Sequence, residues 1–414
     1  MASLILAAGV IYFAGHLLTH FFERSKIPDV LMLIIIGIVA GPLTGIMTVD
    51  RIGYAGNVFT QFALIIILFE GGLDIELGSL VKSARQSVVM TTVFFFVSAA
   101  TVGLIMHYGF DYSPMASAVT GFICGGTSSA VVIPLLSMIR ASKKAGAMLV
   151  IESALTDVLC IVFAIGVLQS IDSGEFKVGR IVYTLAASLV VASLFGVVCG
   201  IVWLRLIDRT RTYSNTQFAT CFVMFIVYGL TELLGFSGAI AALAFGIVLG
   251  NANAIARKLY NMYLTSSPVG VLTEAEKTLY KELAFLVKIF FFLYLGISIP
   301  FESAGVMLVA LSVVAALFAL RPWCALLLTG RVAAHDKTIT AVMLPKGLAA
   351  AVLAGLPSQY GMVEGADIQA ITFHVVLYSI IATSVLIPLV ERTPLGRFMD
   401  GFFSRCAAGR GGRP

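Results

Sequence analysis

Long apolar runs separated by short polar segments repeat along the whole chain. A helix that crosses a hydrocarbon core of roughly 30 Å needs about 20 such residues, and the ten-residue alternation of a membrane barrel is not seen. The pattern therefore predicts an all-α polytopic membrane protein with about 13 transmembrane helices. The predicted spans are residues 3–22, 29–46, 58–75, 86–107, 114–138, 146–170, 181–204, 214–234, 237–255, 283–299, 303–329, 338–357 and 370–390.

The basic residues test this count of spans. If the N-terminus lies outside, the predicted cytoplasmic loops and the C-terminal tail hold 21 of the 27 Lys and Arg residues, whereas the outer loops hold Arg51, Lys177 and Arg180. Cytoplasmic loops are rich in Lys and Arg. We therefore expect a protein of the inner cell membrane with a cytoplasmic C-terminus, in contact with membrane lipids. Topology accounts for the net charge of +5, so we expect no nucleic-acid partner.

Two polar segments fall outside the spans. Residues 256–282 are the longest hydrophilic stretch, and we interpret them as a cytoplasmic linker between two halves of the chain. The tail GRFMDGFFSRCAAGRGGRP (396–414) is rich in glycine and arginine, and we expect it to be disordered.

Composition narrows the class of function. Only 12% of the residues are charged, against about 25% in soluble proteins. No phosphate-binding glycine loop, zinc signature or nucleophile elbow occurs. We therefore expect neither an enzyme nor a cofactor, and any transport would be driven by ion gradients.

Charged residues inside the predicted spans need an explanation, because a charge in hydrocarbon costs several kcal/mol unless it is paired or hydrated. The segment IESALTDV (151–158) carries Glu152 and Asp157, and later spans carry Arg321 and Lys346. Glu70, beside two glycines near the end of a span, is interpreted as structural, at a helix break, with ion binding as the alternative.

Helical spacing separates the roles of the two carboxylates in IESALTDV. Glu152 and Asp157 lie about 140° apart around the helix axis, so Glu152 needs a counter-charge of its own. Ser153 and Asp157 are spaced i and i+4 and share a face, as do Glu152 and Thr156. A hydroxyl beside a carboxylate suits a hard monovalent cation.

The preceding span contains GFICGGTSSAVVIPLL (121–136), whose two adjacent glycines, hydroxyl residues and Pro134 make a poor continuous helix. Interrupted helices near the membrane midplane form the ion sites of many transporters. A packing face of small residues is the alternative interpretation. The position of this segment one span before Asp157 favours an ion site.

Several ordered motifs give the chain a resemblance to the monovalent cation:proton antiporters of the NhaP and eukaryotic sodium/proton exchanger type. The motifs are FALIIILFEGGLDIEL (62–77), GGTSSA (125–130), IESALTD (151–157), GFSGAIAALAFGIVLGN (235–251), LAFLVKIFFFLYLGISIP (283–300), ALRPWCALLLTG (319–330) and LPKGLAAAVLAG (344–355).

The resemblance implies inverted repeats with two crossing broken helices in a homodimer. It implies core helices at about 86–170 and 303–390, dimerisation helices at about 3–75 and 181–299, and a cytoplasmic tail at 391–414.

The resemblance also implies roles for particular residues. Asp157 would bind the transported Na⁺ or K⁺ and the proton, and Glu152 would pair with Arg321. Lys346 would support the second broken helix by neutralising helix C-terminal dipoles. The other residues expected to line the site are Thr127, Ser128, Ser153 and Thr156.

Two departures from the family pattern bear on the reaction. The family's Thr-Asp is here Thr127-Ser128, and its Asn-Asp is Thr156-Asp157. With Asp157 as the one unpaired carboxylate in the site, we expect electroneutral one-for-one exchange. The serine-rich break also resembles the potassium-efflux branch of the wider superfamily, so potassium competes with sodium as the expected substrate. The alternatives are a cation channel or uniporter, an electrogenic K⁺/H⁺ exchanger, and a membrane-embedded enzyme.

Overall fold

The computed structural model describes residues 9, 12, 13, 15, 28–47, 54–74, 77–136, 139, 141–169, 178–211, 217–253, 255, 272–301, 303–328 and 332–410. Within these ranges the ordered elements are helices, and no strand is present. The predicted span 3–22 lies largely outside the described residues, as does the predicted linker up to residue 271. The last residues of that linker, from Glu274, form the first turns of a helix.

The helices are numbered here in chain order. Two of them end in a π-helical turn, at Val39–Leu43 and Ile105–Gly109. The helices are α1 Asp29–Ile38, α2 Tyr54–Asp74, α3 Leu77–Leu104, α4 Pro114–Cys124, α5 Ser129–Leu136, α6 Lys143–Gln169, α7 Val178–Thr210, α8 Ala219–Leu233, α9 Gly238–Gly250, α10 Glu274–Ser298, α11 Ala304–Leu328, α12 Ala334–Val342, α13 Leu348–Leu353, α14 Leu356–Gln359, α15 Gly365–Arg392 and α16 Pro394–Arg410.

Six segments of the described residues are long and apolar enough to cross a membrane. Further apolar helices, such as α9, are shorter. The long segments are Val88–Gly109, Pro114–Ile133, Lys144–Gln169, Val190–Thr210, Ala304–Leu326 and Gly365–Arg392.

The chain divides into two compact units. Unit 1 comprises Met1–Gly56, Gln86–Cys160 and Ile289–Pro414, and unit 2 comprises Asn57–Arg85 and Ile161–Lys288. The assignment of core and dimerisation helices stays a prediction.

In unit 2, α2 runs without interruption through Glu70, so the helix break expected there is wrong. One of the two neighbouring glycines, Gly72, serves close packing instead. A Cβ atom on Gly72 would lie 2.5 Å from the carbonyl oxygen of Leu243 in α9, and one on Gly246 would collide with the carbonyl oxygen of Phe69. The two helices therefore touch backbone to backbone.

Unit 1 contains two interrupted helices. The predicted span 114–138 is divided into α4 and α5, and the predicted span 338–357 begins earlier and is divided into α12, α13 and α14. Between the segments, residues 125–128 and 343–347 are non-helical.

Carboxylates hold the starting ends of both interrupted helices. Glu364 accepts hydrogen bonds from the N–H (2.9 Å) and the hydroxyl (2.8 Å) of Ser113, the residue before α4. Asp336, in the first turn of α12, accepts one from the N–H of Ser142 at 2.9 Å. These contacts join the first half of the chain to the second.

The expected disorder of the tail is wrong for residues 396–410, which belong to α16. Proline suits the first turn of a helix, and Pro394 occupies it. Phe403 is buried in a cluster with Ala325, Leu326 and Ala341, and this burial stabilises a helix that its glycine residues alone would disfavour. Residues 411–414 lie outside the described ranges.

Candidate ion-binding site

The two interrupted helices meet at their breaks. The N–H of Ser128 donates a hydrogen bond to the carbonyl oxygen of Pro345 at 2.8 Å. A Cβ atom on Gly347 would collide with the hydroxyl of Ser128, so this approach requires glycine. Backbone groups that leave a helix inside a membrane need such protein partners.

Lys346 closes the end of α4. Its ammonium group is buried and donates to the carbonyl oxygen of Gly126 at 2.6 Å, just beyond the last helical residue of α4. A positive charge at the C-terminal end of a helix is stabilising because the exposed carbonyl groups carry partial negative charge. The resemblance implies support of the second broken helix, whereas the ammonium group contacts the end of the first, so the predicted role of Lys346 is not the contact that is seen.

Arg321 contacts the carbonyl groups at the C-terminal end of α12 in the same way. Its Nε donates to the carbonyl oxygen of Thr340 at 2.9 Å, and Nη2 donates to that of Met343 at 3.2 Å. Met343 is the residue that ends α12. Each interrupted helix therefore has one basic side chain on the carbonyl groups at its break.

Arg321 also pairs with Glu152 through two parallel hydrogen bonds, of 2.5 Å from Nη1 to Oε1 and 2.9 Å from Nη2 to Oε2. Both side chains are fully buried, and the guanidinium carbon lies 4.1 Å from the ring centroid of Phe94. Geometry of this quality offsets the cost of burying two charges. Glu152 is thereby committed to an internal ion pair.

Asp157 has a different environment. Its Oδ2 accepts a hydrogen bond from the hydroxyl of Ser129 at 2.9 Å, and the carboxylate also interacts with the backbone N–H of Ser129. Ser129 is the first residue of α5, whose N-terminal end favours negative charge. No basic side chain among the described residues pairs with Asp157, which is only partly buried. Asp157 thus differs from Glu152 in lacking a basic partner among the described residues, and its role in binding an ion stays a prediction.

The hydroxyl groups of two other predicted ligands, Thr156 and Ser153, contact the backbone. The hydroxyl of Thr156 accepts from the N–H of Thr127 at 3.0 Å and lies 3.2 Å from the carbonyl oxygen of Ser153. The hydroxyl of Ser153 donates to the carbonyl oxygen of Val150 at 3.1 Å. Thr156 thus ties α6 to the break after α4. The cation-binding roles of Thr127, Ser128, Ser153 and Thr156 stay predictions.

Ser129 is the site residue that the sequence analysis missed. The available signal was the row of hydroxyl residues in GGTSSA, of which Ser129 is the last. Only the fold shows which hydroxyl faces Asp157 across two helices.

Comparison with known proteins shows which protein family the chain resembles. The profile of the family described as "Sodium/hydrogen exchanger, transmembrane" matches residues 9–392. Na⁺/H⁺ antiporter 1 of Methanocaldococcus jannaschii is 25% identical over 312 residues, which cover 71% of this chain and 68% of that protein. The high-affinity Na⁺/H⁺ antiporter NhaS3 of Synechocystis is 22% identical over 92% of this chain and 88% of its own length.

A third relative carries a different cation in its name. The K⁺/H⁺ antiporter NhaP2 of a Shewanella species is 24% identical over 257 residues, 60% of this chain but only 44% of that protein.

Solved structures agree on the fold. The sodium proton antiporter MjNhaP1 of M. jannaschii at pH 8 superimposes with a TM-score of 0.75 at 21% identity, covering 92% of this chain and 98% of its own. The predicted fold class, a polytopic helical membrane protein with interrupted helices, is confirmed. From the family match over nearly its whole length, the chain belongs to the transmembrane sodium/hydrogen exchanger family.

Proposed function

We propose that this protein exchanges Na⁺ or K⁺ for H⁺ by alternating access, with Asp157 as the shared binding group. The observation that carries the proposal is the contrast between two carboxylates on α6. Glu152 is neutralised by Arg321, whereas Asp157 is partly exposed and bonded to the neutral hydroxyl of Ser129. The family match supports antiport and gives no support to the channel alternative.

The cycle follows from the cost of moving a charge. An ionised Asp157 without a partner is expensive to carry through a region of low dielectric constant. A bound proton or a bound monovalent cation removes that net charge. Only the two loaded forms then change access readily, which couples the two fluxes.

The test of exchange is a proteoliposome assay with an internal pH-sensitive dye. Lithium, sodium, potassium or rubidium is added outside in turn, and cation-driven alkalinisation or acidification is recorded. Dye responses that depend on the cation support antiport, and their order ranks the ions. Cation flux that leaves the internal pH unchanged would contradict the proposal and favour a channel or uniporter.

We predict electroneutral one-for-one exchange. Ser128 and Thr156 add no charge, so Asp157 is neutral when it is loaded with either ion. The membrane potential, about 2.3 kcal/mol per charge per 100 mV, then has no net charge to act on. The reversal point of exchange, measured in proteoliposomes clamped at several voltages, should not move with voltage. A reversal point that shifts would mean that another group changes protonation, and Lys346 would be tested first.

We predict that Ser129→Ala raises the KM for the cation about tenfold, with the maximal rate largely retained. The substitution removes a neutral oxygen that faces Asp157, and hydrogen bonds to charged groups contribute about 1.5–3 kcal/mol. A cation loses a ligand, whereas a proton does not need one. Rates measured against cation concentration at fixed pH test this.

Two variants control for this effect. Ser129→Thr keeps the hydroxyl and should retain most of the affinity. Ser128→Ala removes a neighbouring hydroxyl whose backbone N–H still contacts Pro345, and it should change the KM less. Equal effects of the two alanine variants would contradict a specific role for Ser129.

The proposal includes the membrane location, the orientation and the oligomeric state of the protein. The basic residues support an inner-membrane location with the N-terminus outside, and the resemblance supports a homodimer. Exchange of this kind would serve pH and cation homeostasis.

A further inference from the structure

An exposed apolar stripe runs along α11. It consists of Leu308, Leu311, Ala315, Ala319 and Trp323, spaced three or four residues apart. In a helix that crosses a membrane, exposed apolar residues on one side face lipid. Trp323 is the last residue of the stripe whose exposure is described, and it is 58% exposed. Tryptophan is enriched at the level of the lipid headgroups, which supports a place for Trp323 near the membrane surface.

Helix α16 continues this stripe beyond the membrane-spanning helix. Leu395, Phe398 and Phe402 are exposed at helical spacing, and Phe398 is 75% exposed. The ring centroids of Phe402 and Trp323 are 6.5 Å apart in an edge-to-face contact. The neighbouring flank of the same helix, at Phe403, packs against α11 and α12. Helix α16 thus presents its free apolar flank where α11 reaches the headgroups.

The charges around this flank have one sign. Arg392, Arg397 and Arg405 are exposed. The acidic residue of the helix, Asp400, is turned towards α12, where it accepts a hydrogen bond from the hydroxyl of Thr338 at 2.6 Å and lies 3.3 Å from Nδ1 of His335. The exposed side of α16 therefore joins aromatic side chains to exposed arginines.

We propose that α16 lies in the membrane surface and binds anionic phospholipid headgroups of the leaflet on the side of the basic loops. An amphipathic helix with aromatic residues on one flank and arginines beside them is suited to that boundary. Charge complementarity selects anionic over zwitterionic lipid, because each basic residue near the surface contributes about 1 kcal/mol. Binding to the leaflet would hold α16 against Ala341 of α12, the helix that leads to the break near Lys346.

The chain offers a direct probe, since Trp203 and Trp323 are its two tryptophans. Trp203 is buried and donates to Thr220, so Trp203→Phe leaves Trp323 as the reporter. The full-length protein is reconstituted in mixtures of phosphatidylcholine with brominated phosphatidylglycerol, and in the reverse mixture. Quenching of Trp323 fluorescence against composition gives the relative association constant of the two lipids.

The matched variants are Arg397→Gln with Arg405→Gln, and, as a control, Lys144→Gln with Arg205→Gln. The control removes two exposed positive charges from segments predicted to lie at the same membrane face. The starting protein should bind phosphatidylglycerol in preference to phosphatidylcholine. The relative association constant should fall roughly fivefold for each α16 arginine removed. The control pair should leave it unchanged.

Three results would overturn the proposal. They are equal quenching by both lipids in the starting protein, an equal loss of preference in the control pair, and no quenching by either lipid. The last result would mean that another protein surface, such as a second copy of the chain, covers Trp323. Lipids retained by the unsubstituted protein and by the arginine variant in native mass spectrometry give a second readout that does not require Trp203→Phe.

Discussion

Asp157→Asn is expected to abolish cation-driven proton flux while the protein remains folded and inserted in the membrane. The amide has nearly the shape of the carboxylate and can still accept the hydrogen bond from Ser129. It cannot take up a proton or neutralise a cation, so neither loaded state of the cycle forms. A neutral amide also costs less than a charge in this environment. Thermal unfolding in detergent should therefore be unchanged or slightly improved, while the proteoliposome signal disappears.

Asp111→Asn is the matched control. It makes the same change at an exposed position with a backbone φ of 55°, a conformation that asparagine tolerates well. Flux should be retained in this variant. If Asp157→Asn itself still exchanged cations for protons, another group would have to be the binding site.

The second large effect concerns Glu152 and Arg321. Removing one partner of a buried ion pair strands the other charge, at a cost of about 3–5 kcal/mol. Glu152→Gln and Arg321→Met should each lower the thermal stability strongly, and much more than Asp157→Asn does. The double variant should recover part of the loss. Recovery should be incomplete, because Arg321 also donates to the carbonyl groups of Thr340 and Met343.

A double-mutant cycle measures this coupling. The exposed pair Lys277–Glu274, with an N–O distance of 2.8 Å, provides the comparison on the same protein. Neutralising both of its residues should show almost no coupling, since solvent screens exposed pairs. Purely additive losses at Glu152 and Arg321 would contradict an energetic partnership.

The sequence predicted the helices and the two unusual segments for physical reasons that operate locally. Apolar length defines a membrane helix, and adjacent glycines with hydroxyl residues disfavour a continuous one, as at Gly125 and Gly126. The separation of Glu152 from Asp157 around α6 followed from helical geometry alone. The ion pair with Arg321 came only through the family resemblance, because its partners are 169 residues apart.

Other features depended on contacts that local rules do not contain. The bond from Ser129 to Asp157 requires α5 and α6 to be placed against each other before any hydroxyl can be chosen. In the tail, glycine and arginine content suggested disorder, although Met399, Phe403 and Cys406 follow a helical spacing. Their packing against Ala325, Leu326 and Ala341 stabilises the tail as a helix.

The basic side chains at the two breaks have a consequence for biogenesis. Lys346 reaches the carbonyl group of Gly126 across 220 positions of the chain, and Arg321 reaches Glu152 across 169. When α6 leaves the ribosome and enters the bilayer, neither Lys346 nor Arg321 has yet been synthesised. Until α11 and the segment after α12 are made, Glu152 and the carbonyl groups at the end of α4 lack the partners that they have in the folded protein, which is costly inside a bilayer. Chains that terminate before Arg321 would keep an unpaired carboxylate in the membrane and would be suitable substrates for membrane quality-control proteases.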